Sequence, residues 1–197
     1  MKKNTLFTKT LLSLLFILIG TLTFAQTTVF NADYSNGTGN NAWISASTGS
    51  GTGGWTNGTT ATHATGATGN YIYTNLYTGS NVYNSNTISS ITSPVVNLTN
   101  YTNLILTFNV WFNTEGYWDG ANVEYSTDGG GSWGLLGTLG TGFYTDTEVN
   151  SLGTDVNGWT GNSNGWTAKT INLSAADINF DNNSNVRFRI KFVGIGV

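Results

Sequence analysis

Eight residues, Ser126-Thr127-Asp128-Gly129-Gly130-Gly131-Ser132-Trp133, restrict the fold of this chain more than any other stretch. Their pattern, Ser/Thr-x-Asp-x-Gly-x-Ser/Thr-Trp, is that of a β-hairpin turn that bonds itself. The Asp128 carboxylate and the Ser126 and Ser132 hydroxyls can engage the turn's own amides, and glycines such as Gly130 supply positive φ. Trp133 can then fold its ring against the hairpin base, where a large apolar surface is needed. The role is structural rather than catalytic, and it implies an extracellular type of β protein.

The amino terminus agrees with export. Lys2 and Lys3 form a positive start, Lys9 precedes an apolar run, and Thr23-Phe24-Ala25 offers small residues for cleavage before Gln26. Residues 1–25 read as a signal peptide. The apolar run is shorter than the ~20 residues of a spanning helix, so no membrane insertion is expected after cleavage.

Loss of Lys2, Lys3 and Lys9 leaves 4 of the 7 basic residues against 10 acidic ones, a net charge of −6. A basic footprint for nucleic acid or anionic membrane is therefore missing. Between Asp33 and Glu115 no Asp, Glu, Lys or Arg occurs, and Thr, Asn, Gly, Ser and aromatics fill the stretch. Aromatics make up 13% of the chain, which argues for a folded, loop-rich β structure over disorder. There is no cysteine, which excludes disulfides, thiol chemistry and Cys-type zinc sites. About 170 residues after the signal suffice for one core, so a single domain over 26–197 is expected.

Period-two alternation dominates that domain. Along 104–113, Leu104, Leu106, Phe108, Val110 and Phe112 share one face, while Ile105, Thr107, Asn109, Trp111 and Asn113 share the other. Along 185–193, Val186, Phe188, Ile190 and Phe192 point inward and Arg187, Arg189 and Lys191 outward, as on a solvated strand face. Further strands are predicted over 27–32, 71–77, 88–98 (interrupted by Pro94), 120–127, 132–138 and 166–173. A single turn is predicted over 174–178. The glycine-rich stretches 48–70 and 137–165 are functional loops or hold short strands of their own.

Ser93-Pro94-Val95-Val96-Asn97-Leu98, Leu104-Ile105-Leu106-Thr107-Phe108 and the run from Asp119-Gly120-Ala121-Asn122-Val123-Glu124-Tyr125 into the Asp128 turn carry a resemblance. With Lys169-Thr170-Ile171-Asn172-Leu173 and Val186-Arg187-Phe188-Arg189-Ile190, they resemble the MAM-like jelly-roll domains of secreted bacterial proteins. They are also similar to adhesin-like domains attached to exported peptidases. The resemblance implies an all-β, antiparallel two-sheet β-sandwich of concanavalin type, usually non-catalytic. Such domains bind glycans, proteins or cell surfaces, often with a structural calcium ion. They generally finish with a strand carrying acidic residues, whereas this sequence stops at Gly194-Ile195-Gly196-Val197. A fragment of a longer protein, lacking the final strand, is the expectation.

The chemistry points the same way. A sialidase-like propeller would need several Asp128-type turns and an arginine cluster, and the sequence has one turn and two arginines on one strand. Glu115, Asp119 and Glu124 could supply the two carboxylates of a glycosidase, but surface charge or calcium ligation explains them equally well. His63 is the only histidine, too few for a zinc site, and no Gly-x-Ser-x-Gly elbow accompanies it. One structural calcium needs six to eight oxygens, and by resemblance Asn31, Asp33 and Asp119 are its ligands. Sugars stack their C–H faces on rings and bond amides and hydroxyls, so Trp55, Trp43 and Tyr83 are the ligand-binding candidates. The expectation is a secreted, non-catalytic adhesion module whose partner is a glycan or cell-surface protein. A carboxylate-based secreted hydrolase and a structural spacer are the alternatives.

Overall fold

The computed structural model describes residues 26–32, 34, 43–49, 54–58, 71–74, 83, 86–138, 142–176 and 178–195. The expected signal, Asp33 and His63 lie outside them. The described strands are β1 (Ile44–Gly49), β2 (Trp55–Gly58), β3 (Tyr71–Thr74), β4 (Thr87–Thr92), β5 (Ile105–Val110), β6 (Gly120–Ser126), β7 (Gly134–Leu135), β8 (Thr167–Asn172) and β9 (Arg187–Gly194). A short 3-10 helix, Asn150–Leu152, lies between β7 and β8. Among the described residues no helix is long and apolar enough to cross a membrane.

The protein is an all-β antiparallel sandwich. One layer is a five-stranded sheet in the order β1-β4-β9-β6-β7; β5 and β8 pair into a ribbon, and so do β2 and β3. The β5–β8 ribbon supplies the facing side of the core. Leu106, Phe108 and Val110 from β5 and Ile171 from β8 pack on the cluster that holds Val123, Val186 and Phe188 of the larger sheet. The side-chain alternation read from residues 104–113 is the one that separates buried from exposed positions along β5. Full burial of a large apolar side chain contributes roughly 1.5–3 kcal/mol, and the half-buried positions of β5 contribute less each.

β9 sits at the centre of the sheet, paired with β4 on one side and β6 on the other. Its outward basic row is half-buried rather than freely solvated. The register sets Arg189 opposite Glu124, and Arg189 donates to Glu124 Oε2 from Nε (2.6 Å) and also from Nη2. Lys191 Nζ stands 3.9 Å from Glu124 Oε1. This partly buried set of charges fixes the register of β6 against β9. The sheet edges are blunt: β7 has 2 residues, and β1 is a short run rich in Ser and Thr. Short or polar edges discourage pairing with other chains.

Several elements depart from the sequence expectation for physical reasons. β1 and β2 fall in a Ser/Thr/Gly-rich stretch without apolar alternation, and β1 forms by pairing to β4 from Ile44↔Thr92 to Gly49↔Thr87. Residues 27–32 are irregular rather than a strand, although Val29 and Phe30 still pack on the core. β4 stops at Thr92, two residues before Pro94, which cannot donate to a ladder. Beyond the proline a single Val96↔Val186 bridge continues the pairing. After β8, Ala176 N donates to Leu173 O (3.2 Å) in a turn, and Asp177 lies outside the described residues.

Candidate functional site

Trp159 anchors the region in which a site can form. Its side chain is 1% exposed. The ring lies 5.8 Å from Phe108, 5.6 Å from Phe143 and 5.0 Å from Tyr144, and Nε1 donates to Phe143 O at 2.6 Å. The segment around it pins two surface loops. On one side Ala121 and Trp159 exchange backbone hydrogen bonds of 3.0 and 2.8 Å. On the other, Gly158 bridges Asp146. Glycine is required at 158, because a Cβ there would stand 2.6 Å from Leu152 Cδ1 and 2.9 Å from Val149 Cγ2.

The first pinned loop turns through Glu115, Gly116, Tyr117 and Trp118 ahead of β6. Thr160 Oγ1 donates to Glu115 O (3.1 Å) and accepts from Tyr117 N (2.9 Å). From the second loop, Asn150 N donates to Tyr117 O and Ser151 N to Trp118 O, both at 2.9 Å. The Tyr117 backbone is thus tied on two sides and that of Trp118 at its carbonyl, and Tyr117 sits at φ 68°, a left-handed conformation uncommon for a bulky residue. Their rings remain in solvent: Tyr117 is 71% and Trp118 51% exposed. They line an open cleft of about 340 Å³ together with Asp146, Glu148 and Asn150. Exposed aromatics on a fixed backbone offer stacking faces with less backbone entropy left to lose on binding.

The residues singled out from sequence are placed elsewhere. Trp55 opens β2 instead of sitting in a loop, and its amide donates to Ser45 Oγ at 2.8 Å. Trp43 is half-buried, its ring 5.8 Å from Tyr34. The indole nitrogens of both are buried without a partner. Tyr83 meets Asp119: its hydroxyl donates to Oδ2 at 2.6 Å and accepts from Glu115 N at 2.9 Å. Its ring packs edge-on against Phe192 at 4.9 Å. Burial, reinforced by the Asp119 hydrogen bond, pushes the Tyr83 hydroxyl well above its ordinary pKa.

Asp119 is 2% exposed, and its Oδ1 accepts from Ile195 N at 2.8 Å. Each oxygen of this carboxylate therefore already accepts one hydrogen bond. Asn31 is exposed. Among the described residues no three His, Cys, Asp or Glu side chains gather as a metal site. Asp33, the third ligand that the resemblance implies, lies outside the described residues. The other acids are separated in role: Glu124 is held by Arg189 and Lys191 on the outer sheet face, and Glu115 is exposed.

The Ser126–Trp133 turn closes on itself. Ser126 Oγ donates to Asp128 Oδ1 (2.7 Å) and accepts from Gly130 N (2.8 Å); Ser132 donates to Asp128 through N (2.9 Å) and Oγ (2.7 Å). Gly129 and Gly130 take φ of 78° and 106°. Trp133 lies over the Arg189 guanidinium, 4.1 Å from ring centroid to Cζ, and not over an apolar surface. The Ser126 hydroxyl, and after it the Ser132 hydroxyl and amide, hold the Asp128 carboxyl far below the usual carboxylate range. A lowered folded-state pKa contributes stability above the ordinary value, and that contribution disappears as pH falls towards the folded one. Asp128→Asn is therefore expected to melt a few degrees lower at neutral pH, with the gap to the parent closing below about pH 4. Thermal scans from pH 7 to pH 2 read this, and a pH-independent gap would contradict it.

Comparison with protein-family models, curated proteins and solved structures finds no match to this chain.

Proposed function

We propose that this chain is a secreted, non-catalytic binding module that attaches to glycans through the Tyr117–Trp118 cleft. The observation that carries the reading is the pair of exposed rings on a backbone fixed from two sides, beside polar Asp146, Glu148 and Asn150. A sugar ring stacks its C–H face on such rings, and its hydroxyls bond the carboxylates and the amide. The signal-like residues 1–25 and the resemblance to MAM-like jelly-roll adhesion domains support an exported module working at or beyond the cell surface. The three acids on which a hydrolase would rest are engaged or apart: Asp119 holds Tyr83 and Ile195, Glu124 holds Arg189, and Glu115 faces solvent.

Stacking of one ring on a ligand contributes on the order of 1–2 kcal/mol. Trp118→Ala is therefore expected to weaken glycan binding by about tenfold, and Tyr117→Ala/Trp118→Ala to abolish it on a glycan array. Both rings are surface groups, so the double variant is expected to melt within a few degrees of the parent. Unchanged array binding by a folded double variant would overturn the cleft assignment. A parent that binds no glycan would favour the structural-spacer reading.

A further inference from the structure

The cleft carries charge as well as rings, and its charge is uncompensated. Asp146 is half-buried with Oδ1 accepting Glu148 N at 3.0 Å, while Glu148 is exposed. The four basic side chains beyond the signal lie elsewhere. Arg189 and Lys191 face Glu124, Lys169 Nζ donates to Gly142 O at 3.1 Å, and the Arg187 Cδ lies beside Gly130 in the hairpin turn. Among the described residues, no cation pairs with Asp146 or Glu148. Two carboxylates, a Tyr and a Trp thus line one cleft.

A neutral sugar uses the rings and leaves the charges to water. A sugar bearing a protonated amine uses both, since an ammonium group is drawn to carboxylates and to the negative face of an aromatic ring. We infer that the ligand class of this cleft is a polysaccharide of amino sugars with free, protonated amines, held by Asp146 and Glu148 while Tyr117 and Trp118 stack its rings. The inference rests on the glycan-binding reading and specifies its chemistry. An anionic glycan is excluded by the same charges, because like charges at close range oppose binding.

The test compares a glucosamine tetramer with its fully N-acetylated counterpart, by calorimetry on the full chain. The two differ in charge and little in ring shape. The free-amine tetramer is expected to bind about tenfold more tightly at low ionic strength, the scale of two exposed charge contacts. About 0.5 M salt is expected to erase most of that preference. Asp146→Asn/Glu148→Gln is expected to bring the affinity ratio near one. Glu148→Gln alone is expected to lower the ratio part way, and it reads the same effect should Asp146→Asn disturb its loop. Equal affinity of the parent for both tetramers would overturn the inference while leaving the glycan reading intact. Tighter binding of a lysine tetramer than of the free-amine sugar would overturn it in favour of a peptide ligand. Binding of neither sugar would remove the glycan reading and this inference together.

Discussion

Replacing Trp159 with alanine is expected to destabilise the protein by about 3–5 kcal/mol, the range for emptying a large aromatic site in a core. The ring is 1% exposed and touches Phe108, Phe143 and Tyr144, which belong to the β5 strand and the 143–144 segment. Those neighbours are themselves packed against both layers, so they cannot collapse fully into the void. Loss of the indole also strands Phe143 O, which accepts from Nε1 at 2.6 Å. Trp159→Phe separates the terms: it keeps most of the ring volume and is expected to cost roughly 1–2 kcal/mol, mainly for the unpaired carbonyl. Urea unfolding measures both, and a loss below 1 kcal/mol for alanine would show that the ring is not a principal anchor. Because the Gly158–Thr160 segment ties both cleft walls, ligand binding by the alanine variant is expected to weaken even where the protein remains folded.

The second large effect belongs to Asp119. Alanine there leaves Ile195 N and the Tyr83 hydroxyl without their acceptor in a nearly solvent-free place. Hydrogen bonds to a charged group contribute about 1.5–3 kcal/mol each, and orphaned buried donors add their desolvation, so a loss of about 3–4 kcal/mol is expected. Asparagine keeps one acceptor oxygen and the volume, and about half that loss is expected. Tyr83→Phe removes a single bond and is expected to cost about 1 kcal/mol. A double-mutant cycle between positions 83 and 119 isolates the shared bond. Additive losses in that cycle would contradict a direct Tyr83–Asp119 contact.

The sequence made some of this legible and hid the rest. β5 and the first half of β9 could be read because burial on one face imposes period two on the side chains, and both strands border the main core. β1 could not: Ile44-Ser45-Ala46-Ser47-Thr48 are all exposed, so no alternation marks them, and only pairing with β4 makes them a strand. The Asp128 turn was legible because its hydrogen bonds span no more than four residues. The hydrogen bonds of Asp119 were hidden for the opposite reason. Its partners lie 36 and 76 positions away, and nothing local announces that the carboxylate is already spoken for.

The Tyr117–Trp118 pair carries a weaker sequence signal than the acids Glu115 and Asp119 on either side of it. Tyr117 and Trp118 are adjacent, flanked by Gly116 and Gly120, and fall where one strand ends and the next begins. Side chains in a glycine-flanked connection between strands tend to lie at the surface, a signal of exposure available from sequence alone. The positive φ of Tyr117 and the two-sided pinning of its backbone were not available, since they depend on Thr160 and Asn150.

Placing binding at the 117–118 turn and not at Trp43 or Trp55 is the central claim, and the seven tryptophans make it measurable. Assigned indole N–H resonances, followed while a bound oligosaccharide is titrated, report each ring separately. The expected result is a large, saturating shift for Trp118 with Trp43, Trp55 and Trp159 nearly stationary. Saturating shifts at Trp43 or Trp55 with Trp118 unmoved would contradict the account.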